Sequence, residues 1–221
     1  SRTSAGRLGA RGPSPPMGGN ETMPIIEPLP EDEIEEKGFG KILTRCGEVG
    51  APDALFVRIL ARAPGYAKAL HDAMHMSHAE GGVDHKLKEI IRVQLARRAE
   101  DTYFANLRSG KAMREGLTEE RIEAGCGDFE NDAGFTPAEK WALRYAYTMY
   151  REPGKLNKEF YDEGKKHFSE AQIMELGGFI ALHYGMQVFM RTLKAFPMHD
   201  REGNPISQGE SEKIYGAKAV Q

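Results

Sequence analysis

Residues 84–117, DHKLKEIIRVQLARRAEDTYFANLRSGKAMREGL, decide the fold of this chain. Asp84 is of a residue type that starts helices, because its carboxylate can accept backbone N–H bonds of the first turn. The apolar residues that follow recur at the spacing of one helical face: Leu87, Ile90, Ile91 and Leu95. A second helix is predicted over residues 102–114, ended by Gly116, which suits the left-handed turn beyond a helix. The stretch therefore predicts two helices that meet at a short polar elbow.

Helical signals continue on both sides of this stretch. Apolar spacing predicts helices over residues 53–62 and 65–78. Thr136 and Ser169 each begin a capping box, with a Glu or Gln three residues later that can return the hydrogen bond. No alternating apolar pattern is long enough to build a sheet. These patterns predict an all-α fold.

The helix that begins after Ser169 is predicted to reach about Phe196, and its apolar residues lie on every face. A helix that is apolar all round must be covered all round. In a domain of this size, we expect a second subunit to cover the outer face, so that the protein is a homo-oligomer.

The length of 221 residues suits one domain with tails. Residues 1–30 are rich in Gly, Pro and Ser and are predicted to be disordered. Their Arg and Ser content leaves two origins open, a transit peptide or residues upstream of a start at Met17 or Met23. Residues 31–197 are expected to form the domain, and residues 198–221 a polar tail that wraps a partner subunit.

Composition excludes whole classes of function. The net charge of -3 gives no basic field for nucleic acid. No apolar run approaches the roughly 20 residues that a membrane span needs. No phosphate-cradling glycine loop or dinucleotide fingerprint is present, so no nucleotide cofactor is expected. Cys46 and Cys126 are expected to be thiols of a cytoplasmic protein.

A histidine pair was considered as a metal site. His71 and His75 stand four residues apart, a spacing that places two imidazoles on one helical face, as zinc ligands often are. The glutamate of an H-E-x-x-H motif does not accompany them. Chance spacing is therefore the favoured interpretation and no metal is assigned, with a divalent metal at this pair as the alternative.

Glu89 is the leading candidate for acid/base work. A carboxylate in a shielded pocket has a raised pKa and can give or take a proton near neutral pH. The alternative is a surface acid paired with Arg92 or Lys86. We expect the elbow to bring Tyr103, Asn106 and Arg108 within reach of Glu89.

Each of the other candidates also has two interpretations. The Arg108 guanidinium stays charged and could hold a substrate carboxylate by two hydrogen bonds, or it is simply exposed. Tyr103 and Asn106 could orient the substrate, although Tyr103 is also a candidate for core packing. His183 is either a catalytic imidazole or a neutral core residue.

The same stretch resembles the core of the carboxymuconolactone decarboxylase / alkylhydroperoxidase D (AhpD-like) superfamily. The resemblance spans residues 49–196 and includes GAPDALFVRILARAPGYAKAL and FSEAQIMELGGFIALHYGMQVFMRTLKAF. The peroxidase branch of that superfamily carries C-x-x-C-x-x-x-H, with a glutamate twelve positions before the first cysteine. The glutamate position falls on Glu89. The cysteine positions fall on Asp101 and Phe104, and the histidine position falls on Arg108, so these three positions depart from the motif.

The resemblance implies a single AhpD-like helical domain, assembled as a trimer or hexamer. It also implies an enzyme that works without an organic cofactor and performs acid/base chemistry of the decarboxylase or lyase type on a small organic acid or lactone. In this hypothesis Glu89 or His183 moves the proton and Arg108 binds the carboxylate. A hydroperoxide reductase is the first alternative, disfavoured by the missing C-x-x-C. A non-enzymatic scaffold that binds small molecules is the second.

Overall fold

The computed structural model describes residues 24–216. Within them lie α1 (Glu31–Glu36), α2 (Gly40–Val49), α3 (Ala54–Leu60), α4 (Pro64–Ala79), α5 (His85–Arg98), α6 (Thr102–Asn106), α7 (Gly110–Arg114), α8 (Glu119–Cys126), α9 (Pro137–Arg151), α10 (Lys158–Gly164), α11 (Glu170–Leu193) and α12 (Gln208–Tyr215). The only extended pairing in this part of the chain is an isolated bridge between His199 and Pro205. The predicted all-α fold is confirmed.

Helix α5 is the central element, and α4, α6, α7, α8, α9 and α11 all pack against it. Every residue from Leu87 to Ala96 is buried, including the polar Lys88, Glu89, Arg92 and Gln94. A helix enclosed on all sides carries its polar side chains into the interior, where each requires a hydrogen-bond partner. The candidate site is built from these buried polar side chains and their hydrogen-bond partners.

The predicted helix starts are confirmed where a side chain caps the first turn. The Asp84 carboxylate accepts the N–H groups of Lys86 and Leu87 at 2.8 and 3.1 Å. Thr136 and Ser169 both form complete capping boxes. These caps are local features, so the sequence alone identifies them.

The prediction of one helix over residues 102–114 is wrong. The chain forms α6 and α7 instead, with Leu107 extended between them at φ -80° and ψ 151°. The reason lies in α5, where the Arg92 guanidinium donates to the carbonyl oxygens of Phe104 and Leu107, each at 2.7 Å. Ser109 then caps a new helix by accepting the N–H of Ala112 at 3.2 Å.

Helices α1 and α2 lie in segments to which the sequence analysis assigns no helix, and α12 lies within the segment expected to be a polar tail. The Ser211 hydroxyl at the start of α12 donates to the Pro197 carbonyl at 2.6 Å. Disorder was predicted for residues 1–30, and residues 1–23 of that segment lie outside the described residues. At Leu29 the backbone N–H donates to the Arg58 carbonyl at 3.1 Å.

None of the helices in residues 24–216 has the length and apolar character that crossing a bilayer requires.

Candidate active site

Four buried residues form a closed ring of hydrogen bonds where α4, α5 and α7 meet. His78 Nε2 lies 2.9 Å from Glu89 Oε2, and the Ser109 backbone N–H donates to Glu89 Oε1 at 2.8 Å. The Ser109 hydroxyl lies 2.8 Å from His85 Nε2. His85 Nδ1 lies 2.8 Å from the carbonyl oxygen of His78 and closes the ring. Each of the four residues is at most 8% exposed.

The turn between α4 and α5 is held in place from α11. Glu175 Oε2 accepts the Gly82 N–H at 2.8 Å, and Glu175 Oε1 accepts from the buried Lys88 ammonium at 2.7 Å. Gly81 has φ +95°, and a side chain on it would collide with the Glu175 carboxylate. The Glu175 clamp therefore fixes the turn that places His78 beside His85 and Glu89.

Glu89 forms a buried, two-pronged ion pair with Arg92. Arg92 Nε donates to Glu89 Oε2 at 2.7 Å, and Arg92 Nη2 donates to Oε1 at 2.8 Å. Both side chains are 0% exposed. With the bonds from His78 and Ser109, the two carboxylate oxygens accept four hydrogen bonds, so the interior stabilises the ionised form.

The expectation that Glu89 has a raised pKa is wrong. Burial alone would raise it, but the charge and hydrogen bonds of Arg92, followed by the bond from His78, outweigh burial and hold the pKa of Glu89 well below its ordinary value. Glu89 is therefore a carboxylate throughout the neutral range. It accepts hydrogen bonds and holds no proton to give.

The ionised Glu89 fixes the proton of its partner His78. A carboxylate only accepts, so His78 Nε2 carries the hydrogen of this bond. Burial lowers the pKa of His78 to about 4, so the ring is neutral at pH 7 and its Nδ1 keeps a lone pair. Among the described residues, no partner bonds that Nδ1. His78 is thus the basic group of the cluster, and it is not among the site candidates that the sequence predicts.

His85 is held in the opposite tautomer to His78. Its Nδ1–H faces the His78 carbonyl, which can only accept, so Nε2 accepts from the Ser109 hydroxyl. Burial lowers the pKa of His85 from its ordinary value. Both ring nitrogens of His85 and the Ser109 hydroxyl have partners within the closed ring of hydrogen bonds, so these two residues position His78 and Glu89.

His183 of α11 lies beside His78, with 5.6 Å between the ring centroids. Its Nε2 lies 3.4 Å from both the Ser77 hydroxyl and the Met74 carbonyl. Within the described part of the chain, its buried Nδ1 has no partner. Burial, with the charges of His78 and Arg92, holds the pKa of His183 well below its ordinary value.

A narrow cleft reaches His78 from the side of α2. Its walls are Arg45, Cys46, Val49, Ala51, Pro52, His71, Met74, His75 and His78. The volume of about 10 Å³ holds roughly one water molecule. An organic substrate would therefore have to displace side chains at the mouth, where Arg45 forms an exposed ion pair with Asp72.

A thiol and an imidazole face each other in this cleft. Cys46 Sγ lies 3.5 Å from His71 Nε2. Burial, with the nearby charge of Asp53, raises the pKa of Cys46 to about 12, and burial lowers the pKa of His71 to about 4. Both groups are therefore neutral at pH 7. In residues 24–216, no group of three or more His, Cys, Asp or Glu side chains is placed to hold a metal ion.

Comparisons with known proteins bear on the fold. The sequence matches no protein-family model and no curated protein. Solved structures do match it. A cysteine-to-alanine variant of the debrominase Bmp8, in complex with 2,3,4-tribromopyrrole, is similar with a TM-score of 0.63 and 20% identity, over 76% of this chain and 88% of that chain.

A second solved structure is described as an alkylhydroperoxidase AhpD core, an uncharacterized peroxidase-related protein from Ralstonia eutropha JMP134. It has a TM-score of 0.62 and 15% identity, over 84% of this chain and 94% of that chain. An uncharacterized peroxidase-related protein from Silicibacter sp. TM1040 has a TM-score of 0.61 and 12% identity, over 87% and 93%. This chain has the AhpD-like fold. The resemblance inferred from the sequence is confirmed at the level of the fold.

Within this AhpD-like fold, Arg108 does not join the Glu89 cluster. Its Nε donates to Glu119 at 2.8 Å in a partly exposed ion pair. Its Nη1 donates to the carbonyls of Ala105 and Leu107, both at 2.8 Å. Arg92 and Arg108 both donate to the Leu107 carbonyl, which is therefore a common acceptor of the two guanidinium groups.

Tyr103 and Asn106 also have partners elsewhere. The Tyr103 ring is 0% exposed and its hydroxyl donates to Asp53, so the core-packing interpretation of Tyr103 holds. Asn106 Nδ2 donates to the Thr102 carbonyl at 2.7 Å. The expected convergence of these side chains on Glu89 is therefore wrong. Because the chain is extended between α6 and α7, the backbone N–H of Ser109 reaches Glu89 instead.

The two positions that carry cysteines in the peroxidase branch have structural roles here. Asp101 caps α6 by accepting the N–H groups of Tyr103 and Phe104 at 3.2 and 3.1 Å. Burial raises the pKa of Asp101 to about 7. Phe104 packs edge-on against Phe56 at a centroid distance of 5.4 Å. This AhpD-like chain therefore has a helix cap and a core aromatic where that branch has two thiols.

Proposed function

We propose that this AhpD-like protein is an enzyme that performs acid/base chemistry of the decarboxylase or lyase type on a small organic acid or lactone, without an organic cofactor. The observation that supports it is the contact between Glu89 and His78. An ionised, fully buried carboxylate orients a neutral imidazole and leaves the other ring nitrogen unbonded. A histidine oriented in this way is the usual general base of an active site.

The roles follow from the geometry. His78 Nδ1, which carries a lone pair, takes a proton from the substrate and returns it. In a decarboxylation it takes the proton of the substrate's carboxylic acid and delivers it to the carbon that loses CO2. Glu89 is a positioning residue in this scheme, since it acts through His78. His183 is the second imidazole of the site. Arg45 lines the cleft that reaches His78 and Arg108 does not, so Arg45 is better placed to bind the substrate carboxylate once its exposed partner Asp72 is displaced.

The test is turnover of a panel of small lactones and keto acids by the wild type and by His78→Gln. Glutamine retains a polar group of similar reach but cannot carry the proton. The rate constant kcat is expected to fall by about 10²-fold or more. His167→Gln is the matched control, because the partly buried His167 follows α10, pairs with Glu163 and does not line the cleft. Its kcat should equal that of the wild type.

Two outcomes would count against the proposal. One is a His78→Gln variant with a native circular dichroism spectrum and the wild-type kcat. The other is calorimetric binding of a panel acid with no turnover, which would favour a non-enzymatic binding protein.

A thiol-dependent hydroperoxide reductase is the second candidate, and the Cys46–His71 contact favours it. In this reaction a cysteine sulfur attacks the O–O bond, an alcohol leaves, and an added dithiol reduces the resulting sulfenic acid. The high pKa of Cys46 opposes it, since the thiolate is the nucleophile. Hydroperoxide consumption that is lost in Cys46→Ser and retained in Cys126→Ser would establish this candidate. 2,3,4-Tribromopyrrole, the ligand in the Bmp8 variant structure, should be tested in the same assay as a second electrophile.

A further inference from the structure

A cavity of about 390 Å³ lies between the end of α11, the elbow that joins α5 to α6, and α12. None of its lining residues also lines the cleft that reaches His78. Sites that hold a small organic molecule have volumes of about 300–1,000 Å³, so this cavity has room for one. The candidate active site described above does not use it.

Helix α12 forms one wall of the cavity, and hydrogen bonds at both of its ends fix it to the chain that leaves α11. The Gln208 side-chain amide donates to the Phe196 carbonyl at 2.8 Å, and its oxygen accepts the Phe196 N–H at 2.9 Å. The Tyr215 hydroxyl donates to the His199 carbonyl at 3.1 Å. Glu212 lies between these contacts, so a fixed helix places its side chain at the cavity.

The elbow and the end of α11 form the other walls. Arg191 Nη2 pairs with Glu100 Oε2 at 2.6 Å, which balances the Arg191 charge within the protein. Asp101 is 1% exposed, and its carboxyl oxygens accept the N–H groups that begin α6. Phe196, which is 8% exposed, supplies an aromatic surface. The walls therefore combine charged groups with an apolar face.

Two charged side chains on these walls have no partner in residues 24–216. The Lys194 ammonium, at the left-handed C-cap of α11, forms no ion pair or hydrogen bond there, and neither does the Glu212 carboxylate. The Thr102 hydroxyl, which lines the same cavity, also forms no hydrogen bond in this part of the chain. Unpaired opposite charges around one cavity are complementary to a molecule that carries both charges.

We propose that this cavity binds an α-amino acid with an apolar side chain, in its zwitterionic form. The ligand carboxylate pairs with the Lys194 ammonium and accepts a hydrogen bond from the Thr102 hydroxyl. The ligand ammonium pairs with the Glu212 carboxylate, and the ligand side chain packs against Phe196. The inference does not depend on the proposed activity, because no residue of the His78 cleft takes part.

The charges of the walls disfavour ligands that carry a single charge. Three acids and two cations line the cavity: Glu100, Asp101, Glu212, Arg191 and Lys194. A simple organic anion would leave Glu212 unpaired beside its own negative charge. A simple organic cation would leave Lys194 unpaired beside its own positive charge. Like charges brought together weaken binding, whereas a zwitterion gives both walls a partner.

The first test is calorimetric titration of the wild type at neutral pH with L-leucine, N-acetyl-L-leucine and L-leucinamide. N-acetyl-L-leucine lacks the ammonium, and L-leucinamide lacks the carboxylate. Each analogue is expected to bind about tenfold more weakly than L-leucine, because each leaves one charge of the walls unpaired. The absence of L-leucine binding at millimolar concentration, or an analogue that binds as tightly as L-leucine, would overturn the proposal.

The second test assigns the two ends of the ligand to Lys194 and Glu212. Lys194→Gln is expected to weaken L-leucine binding about tenfold without weakening the binding of L-leucinamide, because that analogue has no carboxylate for Lys194 to pair with. Glu212→Gln is expected to weaken L-leucine binding about tenfold without weakening the binding of N-acetyl-L-leucine, which has no ammonium.

Lys213→Gln and Glu202→Gln are the matched controls, because both residues are exposed and neither lines the cavity. Their affinity for L-leucine should equal that of the wild type. Circular dichroism verifies that all four variants are folded. An L-leucine affinity that is unchanged in Lys194→Gln or in Glu212→Gln, or that falls equally in the controls, would contradict the assignment and overturn the proposal.

Discussion

Replacing Glu89 with leucine is expected to lower the free energy of unfolding by about 3–5 kcal/mol. The change leaves the Arg92 guanidinium 0% exposed without its anion. It also removes the acceptor of the His78 Nε2–H and of the Ser109 N–H. An uncompensated buried charge is among the most destabilising single changes, and domains have only about 5–15 kcal/mol of net stability.

The matched control is Glu119→Leu. It breaks another glutamate–arginine pair, that with Arg108, in which Glu119 is 49% exposed. Exposed pairs contribute about 0–1 kcal/mol, because water screens them. Urea unfolding at pH 7 measures both variants. If Glu89→Leu costs no more than Glu119→Leu, Glu89 is not the buried anion described above.

Acid is expected to destabilise the wild type relative to His78→Gln, by on the order of 3 kcal/mol between pH 6.5 and pH 4. The ordinary pKa of histidine is 6.5, and burial lowers that of His78 to about 4 in the folded protein. Between pH 6.5 and pH 4, His78 binds a proton in the unfolded chain but not in the folded chain. Stability from this group is therefore fully present above pH 6.5 and is lost as the pH falls toward about 4.

The difference between the two proteins is the correct observable, since other groups titrate in the same range. Burial lowers the pKa of His71 to about 4 and so adds to the loss, whereas it raises the pKa of Asp101 to about 7, which has the opposite sign. Both contributions are common to wild type and variant and cancel in the difference. Urea unfolding at steps between pH 7 and pH 4 supplies the measurement. A difference that does not change with pH would mean that His78 is not buried in neutral form.

The sequence predicts those parts of the fold that depend on neighbouring residues. Asp84, Thr136 and Ser169 are caps whose hydrogen bonds close within three residues, so local pattern is sufficient. The break between α6 and α7 could not be predicted in this way. The Arg92 guanidinium causes it by bonding carbonyls twelve and fifteen residues along the chain.

The candidate site also combines features that the local sequence predicts with features that depend on the folded chain. The position of Glu89 on the central helix could be predicted, but the direction of its pKa shift could not. Burial and the Arg92 charge oppose each other, and only the two-pronged geometry decides between them. His78 and His85 are separated in sequence by the Gly81–Gly82 turn, so only the folded chain brings them together. A histidine three residues before a Gly-Gly pair and another three residues after it is the sequence signal that could have suggested the pair.

The protonation state of His78 tests the account most directly. Nitrogen-15 NMR of the imidazole side chains, with His78 assigned by its absence in His78→Gln, distinguishes the two neutral tautomers and follows their titration. The geometry predicts a neutral ring with the proton on Nε2, which persists as the pH falls to about 5. A His78 ring that titrates near its ordinary value of 6.5, or that carries its proton on Nδ1, would contradict the role assigned to Glu89 and the proposed chemistry together.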